Sequence, residues 1–356
     1  MNTLPFAPYA ALHAAMRKGD LPPRYLLFHV QDGVGGYADR LKGLANALLL
    51  AMLLDRALLV HWPVPGALPR ALPPAGIDWR PEGAAGLDRL LPWDATLAWD
   101  RVMQAGPVPF VNAIDSERLD DLLPTLRTED IEARWFHGQP LVALASNVFF
   151  YEALLANPRL AEKARALGLR TERFLSRHFG EFFRLCFGEP LAAATAGTPS
   201  PVAAHAAPFV AAFRDAATQG RRVLGIQIRT GGDGAWDDPC FLPPGEAEVF
   251  FRQALTLEAP GEPPARWFLE TDSERLKTEA RQRFGQRILT TDWPVSHIDR
   301  SADRGSLDME RVIAKHLLLA ACDALLVGAG GFGRTAAWLG GIAWRGFPDF
   351  APQRGE

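Results

Sequence analysis

The chain reads as two doubly wound α/β domains, and three observations lead there. At 356 residues it is long enough for two domains at roughly 150 residues each, with a core in both. Its second half alternates short branched apolar runs with helical segments, the pattern of parallel strands crossed over by helices. Its first half opens with a strand, a glycine loop, a helix and a second strand, a βαβ unit.

In the first half, RYLLFHV is the first strand, QDGVGGYADR the loop, LKGLANALLLAMLLDR the helix and ALLVHW the second strand. Leu41, Leu44, Ala45, Leu48, Leu49 and Met52 fall on one helical stripe. Asp39 suits the positive end of the helix dipole. Gly33, Gly35 and Gly36 bring backbone amides to the sheet edge, where a phosphate or sugar hydroxyl can approach. Gly33, Gly35 and Ala38 also fit the loose dinucleotide pattern of an NAD(P)-dependent oxidoreductase. That reading needs an acid at the end of the second strand, which here ends in His61 and Trp62, with Asp55 ahead of the strand.

From Pro63 to about Phe110 the chain is rich in proline and glycine, with Trp79, Trp93 and Trp99 either lining a sugar site or filling the core. His137 precedes a strand at PLVALAS and is a candidate to reach a crevice. Residues 151–187 read as helical. Glu189 to Pro208, low in charge and rich in alanine and proline, reads as a connector, which sets domains at 1–205 and 206–356.

The second half begins with VLGIQIRTGGDG, a buried strand whose carboxyl end carries Arg229 into a glycine loop. Ligands of open α/β sheets bind at such edges. A guanidinium there suits phosphate or carboxylate, or pairs on the surface with Asp233, Asp237 or Asp238. Strands at 265–270, 287–290 and 324–328 alternate with helices near 245–257, 273–284 and 307–321 and from 333. Three strands end in polar or glycine loops: Arg229-Thr230-Gly231, Thr271-Asp272-Ser273 and GAGGFGRT from Gly328 to Thr335. Ser273 also fits a plain helix cap. Three such loops at one edge predict a nucleotide-like ligand.

Composition narrows the class. A net charge of −3 with scattered basic residues gives no footprint for nucleic acid. Cys186, Cys240 and Cys322 have neither zinc spacing nor an even number, so a reducing cytoplasm is the expected home. No signal peptide is seen, and the apolar run from Leu41 to Val60 is broken by Lys42, Asn46, Asp55 and Arg56, so no transmembrane segment is expected.

The motifs also carry a resemblance. GVGGYADRLKGLANALLLAMLLDRALLVHW, LGIQIRTGG, WFLETDSERL and HLLLAACDALLVGAGGFGRTAAWLGG, in that order, resemble the motifs of the α1,6-fucosyltransferase, nodulation fucosyltransferase and protein O-fucosyltransferase superfamily. They cover about half the chain. The resemblance implies a GT-B-like fold, two Rossmann-like domains facing a central cleft, and fucose transfer from GDP-fucose to a glycan or glycoconjugate. It implies that Arg229 holds the diphosphate. Gln227, Thr230, Gly231, Thr271 and Asp272, with Gly330, Gly331, Phe332, Gly333 and Arg334, would form the nucleotide pocket. Asp39 and Arg40, beside Gly33, Gly35 and Gly36, would face it from the first domain. Three positions depart from the family pattern: Gln227 stands where relatives carry histidine, glycines replace serines in the last loop, and Lys315 replaces an acid that reads guanine.

No Asp-x-Asp pair follows a strand, so the expectation is a transfer with no metal or other cofactor, in which Arg229 and loop amides meet the charge of the departing diphosphate; that the transfer inverts is what the resemblance implies. Asp237 and Asp238 are a weak cation signal. Asp39, Asp233 and His297 are candidates for the base. The alternatives are a non-catalytic nucleotide- or glycan-binding protein on the same fold and the oxidoreductase already weighed.

Overall fold

The computed structural model describes residues 6–30, 35–92, 94, 110–113, 116–192, 200–231, 239–243, 245–258, 260–299 and 305–353. Gly33, Asp233, Asp237, Asp238, Trp93 and Trp99 lie outside them. The chain divides into two compact units, Met1–Glu189 and Pro190–Glu356.

The first unit holds a four-stranded parallel sheet, ordered β2-β1-β4-β3, of β1 (Tyr25–His29), β2 (Ala57–His61), β3 (Phe110–Ala113) and β4 (Leu141–Ser146). Every residue of β1, β2 and β4 is buried, which is why they read as unbroken apolar runs. Around the sheet pack α1 (Ala7–Lys18), α2 (Tyr37–Leu53), α3 (Ser116–Thr128) and α4 (Phe179–Phe187).

The helix α2 is more enclosed than its stripe predicts, since only Asp39 and Lys42 escape burial. Two small or polar residues permit this. A Cβ on Gly43 would stand 1.8 Å from the Ser146 carbonyl, so the helix backbone rests on the end of β4. Asn46 donates to the Val148 carbonyl at 2.5 Å and accepts from the Phe150 amide at 3.3 Å. The irregular stretch after β2 also packs inward: Trp79 is fully buried and donates to the Cys186 carbonyl at 2.9 Å, so it is core rather than a sugar platform. His137 is exposed before the amino end of β4, the edge opposite the strand carboxyl ends, and so takes no part in a site there.

The second unit begins with α5 (Pro201–Thr218), where the sequence predicts a connector. Ser200 caps it by accepting from the Ala203 amide at 3.2 Å, Pro201 occupies its first turn, and alanines supply helix propensity. The boundary expected at 205 therefore falls inside a helix.

Its six-stranded sheet is ordered β10-β9-β8-β5-β6-β7, from β5 (Val223–Ile228), β6 (Arg266–Thr271), β7 (Ile288–Leu289), β8 (Ala324–Val327), β9 (Ala343–Gly346) and β10 (Ala351–Gln353). All pairings are parallel except β9 with β10, a terminal strand the sequence pattern does not reveal. The chain builds β6 and β7 on one side of β5, then returns to place β8 and β9 on the other. Leu224, Ile226, Ile228, Trp267, Leu269 and Leu326 form one core with Phe250 and Phe251 of α6 (Glu248–Thr256) and Leu276 of α7 (Glu274–Phe284). On the opposite face, Phe209 and Phe213 of α5 pack on Phe268 with ring centroids at 5.8 and 5.6 Å. There a Cβ on Gly225 would strike Leu325, and Cys322 and Leu319 at the end of α8 (Ser306–Ala320). Among the described residues no helix is long and apolar enough to cross a membrane.

Candidate functional site

In the second unit the strand order reverses between β5 and β8, the position where doubly wound sheets open a crevice at their carboxyl edge. Arg229 leaves β5 there, and Gly328 leaves β8 with its amide donating to the Gln227 carbonyl at 2.8 Å. Arg229 is half-buried, its guanidinium carbon 4.7 Å from the centre of the Phe241 ring. A Cβ on Gly330 would lie 3.3 Å from Arg229 Nη1, and Gly330 has φ +89°. The positive φ favours glycine, and a side chain there would press on the arginine that lies along the loop.

The same loop opens α9 (Phe332–Gly340), capped at Gly331 without any side-chain bond. Its first amides have no partner within the helix and carry its positive dipole end. A Cβ on Gly333 would stand 2.8 Å from Val327 Cγ1 and 2.9 Å from Gln227 Oε1, so the absence of a side chain lets α9 press onto β5 and β8. Arg334 points out as an exposed residue. Beneath the loop His316, missed in the sequence, shares a 2.9 Å hydrogen bond between Nε2 and Thr335 Oγ1, which also lies 3.0 Å from the Gly331 carbonyl. Burial pushes His316 down to about 3, so it is neutral. Its ring meets Phe332 edge-on at 5.0 Å.

Asp272 has a different place from the expected one at the ligand. Its carboxylate accepts from the Thr230 amide at 2.7 Å, the Thr230 hydroxyl at 2.9 Å and the Gly231 amide at 3.0 Å. It clamps the backbone that follows Arg229. Gly231 sits at φ +61°, where a Cβ would collide with the Pro239 carbonyl. The Thr230 carbonyl in turn receives the Phe241 and Leu242 amides at 2.8 and 3.1 Å, which brings Phe241 under the guanidinium. Thr271 accepts from the Ser273 amide, and Ser273 caps α7 through the Leu276 amide, so both hydroxyls serve the turn.

The first unit's loop is organised for packing. Gly35 has φ +92°, and Gly36 precedes α2 with its carbonyl receiving the Asp39 and Arg40 amides at 3.1 Å. Arg40 is fully buried: Nε donates to the Gly35 carbonyl at 3.0 Å, Nη1 to the Val64 carbonyl at 2.5 Å, and the guanidinium lies over Trp62. It ties the loop after β1 to the segment after β2 and presents no face to a ligand, contrary to the expectation. Asp39 is half-exposed and pairs with Lys42 at 2.7 Å. Asp55, the acid nearest the dinucleotide pattern, precedes β2 and pairs with Lys163 at 2.6 Å, and β2 ends in His61. His61 and His29 meet across β2 and β1 with Nδ1 atoms 2.9 Å apart. Burial, then the neighbouring imidazole, push His29 down to about 3. His297, in the second unit, is half-buried and its Nδ1 accepts from the Asp299 amide at 3.3 Å.

No protein-family model matches the chain, and no curated protein sequence matches it. Solved structures do. A variant of Arabidopsis thaliana FUT1 in complex with GDP superposes with a TM-score of 0.59 at 14% identity, covering 98% of this chain and 81% of that one. The fucosyltransferase NodZ from Bradyrhizobium gives 0.53 at 18% identity, over 94% of this chain and 100% of that one. NodZ α1,6-fucosyltransferase soaked with GDP-fucose gives 0.51 at 18% identity, over 91% and 95%. Across nearly its whole length, then, the chain has the mixed α/β fold of these fucosyltransferases.

Proposed function

We propose that the protein is a glycosyltransferase that moves fucose from GDP-fucose to a hydroxyl of a glycan or glycoconjugate, with inversion and without a metal. The observation that carries this is the switch-point edge of the second unit. Arg229, the Gly328–Gly333 loop and the amino end of α9 converge where a nucleoside diphosphate can be held. The fold of solved fucosyltransferases, two of the similar ones named with GDP or GDP-fucose, supports the choice of donor.

As the sugar leaves, negative charge grows on the diphosphate. A fixed guanidinium and oriented amides stabilise that charge more than they stabilise the bound donor, which lowers the barrier. Asp272 keeps the loop from relaxing, so the arrangement is paid for during folding rather than during reaction. Asp39 and His297 are the described candidates for taking the acceptor proton. Transfer is placed in the cytoplasm, in keeping with three free cysteines.

The test is thermal stabilisation by GDP, UDP, ADP, CMP, NAD and NADP, followed by turnover of GDP-fucose. A ligand at 100 times its dissociation constant adds about 2.7 kcal/mol to the folded state. Stabilisation by GDP that disappears in Arg229→Ala supports the reading. A response to NAD alone replaces it with the oxidoreductase, and GDP binding with no transfer to any acceptor replaces it with a binding protein.

A further inference from the structure

Positive charge is concentrated in one stretch of the first unit, Arg159 to Arg184. It carries seven arginines and lysines against three glutamates, a net +4 in a chain whose total is −3. Arg159, Arg165, Arg170, Arg173 and Arg177 are all exposed. Three of them share one concavity: Arg170, Arg173 and Arg177 line a pocket of about 670 Å³, together with Phe6, Ala7 and Pro8 at the start of α1, Leu167 and Glu181. Small-molecule sites have volumes of this order.

These arginines stand on a frame fixed by folding. The chain winds tightly at Thr171–Arg173 and then widely, in a π turn, at Phe174–His178 before it enters α4. Such wide turns recur at functional sites. His178 is buried, and its Nε2 accepts from the Arg170 amide at 3.3 Å. Its Nδ1 therefore carries the proton and donates to Glu181 Oε2 at 2.9 Å. Glu181 Oε1 accepts from Arg177 Nε at 2.7 Å. One imidazole thus holds the backbone of Arg170 and, through Glu181, the side chain of Arg177.

The acids do not cancel the arginines. Glu181 is committed to Arg177 and His178. Glu172 lies 3.8 Å from Arg170 with the two side chains 68% and 62% exposed, a pairing that contributes little. Arg173 has no ion-pair partner among the described residues. The first turn of α1 carries no acid, and its amino end adds partial positive charge. Three guanidinium forks offer more donors than the two oxygens of a carboxylate can use, whereas a phosphate or sulfate ester presents three terminal oxygens. A bare ion fills a small part of this volume, and Phe6 and Leu167 give apolar surface to the body of a larger ligand.

We propose that this pocket binds a sugar carrying a phosphate or sulfate ester, with Arg170, Arg173 and Arg177 on the ester oxygens. The oxyanion rests on the arginines, and the sugar rests on the glycosyltransferase reading above.

Calorimetric titration of the full chain in dilute, phosphate-free buffer tests this with glucose 6-phosphate, glucose 6-sulfate, glucose and inorganic phosphate. Both esters are expected to bind, inorganic phosphate about tenfold more weakly, and glucose not at all. Salt at about 0.5 M should weaken the esters severalfold, since exposed charges are screened. Arg173→Ala is expected to cost about tenfold, and Arg170→Ala with Arg173→Ala about a hundredfold, the scale of one charged hydrogen bond each. Arg177 is left in place because its loss strips Glu181 of its partner. Arg165→Ala, on the same basic stretch but outside the pocket, should stay within about twofold; all three positions are exposed, so the variants fold. Inorganic phosphate binding as tightly as both esters overturns the sugar. Failure of both esters to bind, or an equal loss in Arg165→Ala, overturns the pocket and leaves the donor reading untouched, because GDP and Arg229 take no part in these titrations. Esters that bind as expected to a chain that binds no GDP overturn the donor reading alone.

Discussion

Both units use the same sequence device, a buried strand running into glycines and then a helix, with an arginine close by, yet the two arginines have opposite fates. Arg40 is sealed inside the first unit, spending donors on the Gly35 and Val64 carbonyls. Arg229 lies half-buried along its glycine loop, against Phe241, at the point where the strand order reverses. Topology does not separate them, since β1 lies between β2 and β4 as β5 lies between β6 and β8, a reversal of strand order in both sheets. Packing does: one guanidinium is enclosed against backbone carbonyls, and the other keeps part of its surface exposed.

The largest effect that tests this contrast belongs to Arg229→Ala. It is expected to lower GDP-fucose turnover by about a hundredfold or more, the scale for losing one charge-stabilising donor. Its melting temperature should stay near that of the wild type. Arg40→Met should do the reverse: a loss of about 2 kcal/mol or more in urea unfolding, since charged hydrogen bonds to buried carbonyls are lost, with GDP affinity per folded molecule within twofold. A large change in GDP affinity in Arg40→Met would break the contrast and return the first loop to the site.

Asp272→Asn sharpens it further. The amide keeps the shape but sets a donor against the Thr230 or Gly231 amide, so the loop behind Arg229 loosens and turnover should fall about tenfold with little change in fold. Unchanged kinetics would show that the clamp is dispensable.

The smallest effect is a slope. His29 and His316 are held at about 3, and His13 at about 4, by burial. Below the ordinary value of 6.5 the unfolded chain takes up protons that the folded chain refuses, so stability falls as pH drops from about 6.5 toward 4. Each histidine contributes up to about 1.4 kcal/mol per pH unit. Urea unfolding at pH 7.5 and 5 should show the loss, and His316→Gln should reduce the slope by about one proton.

Strands and glycine loops were legible because branched apolar runs and φ-positive glycines are local signals, and β5, β6 and β8 lie within a residue or two of where the pattern puts them. The functions of Arg40 and Asp272 were not legible. Their partners are carbonyls and amides, which every residue owns, so no spacing announces them. The buried ion pair of Glu270 with Lys315 left a faint trace, a charge at an inward position of an apolar strand and another in an apolar helix, but only the packing of α8 on the sheet shows that they meet. The helix α5 was hidden by two prolines, Pro201 in its first turn and Pro208 inside it.

The reversal of strand order also sets a timetable for synthesis. Val223, at the start of β5, donates to Asp323 across 100 residues, and β8 fills the remaining side of β5 only after that interval. A ribosome that has already released Arg229 must make α6, α7 and α8 before the crevice has a second wall. Such long-range pairing is slow to form. A chain stopped before Gly328 would carry Arg229 and its clamp but neither the glycine loop nor α9, so the edge between β5 and β8 is completed long after Arg229 is made.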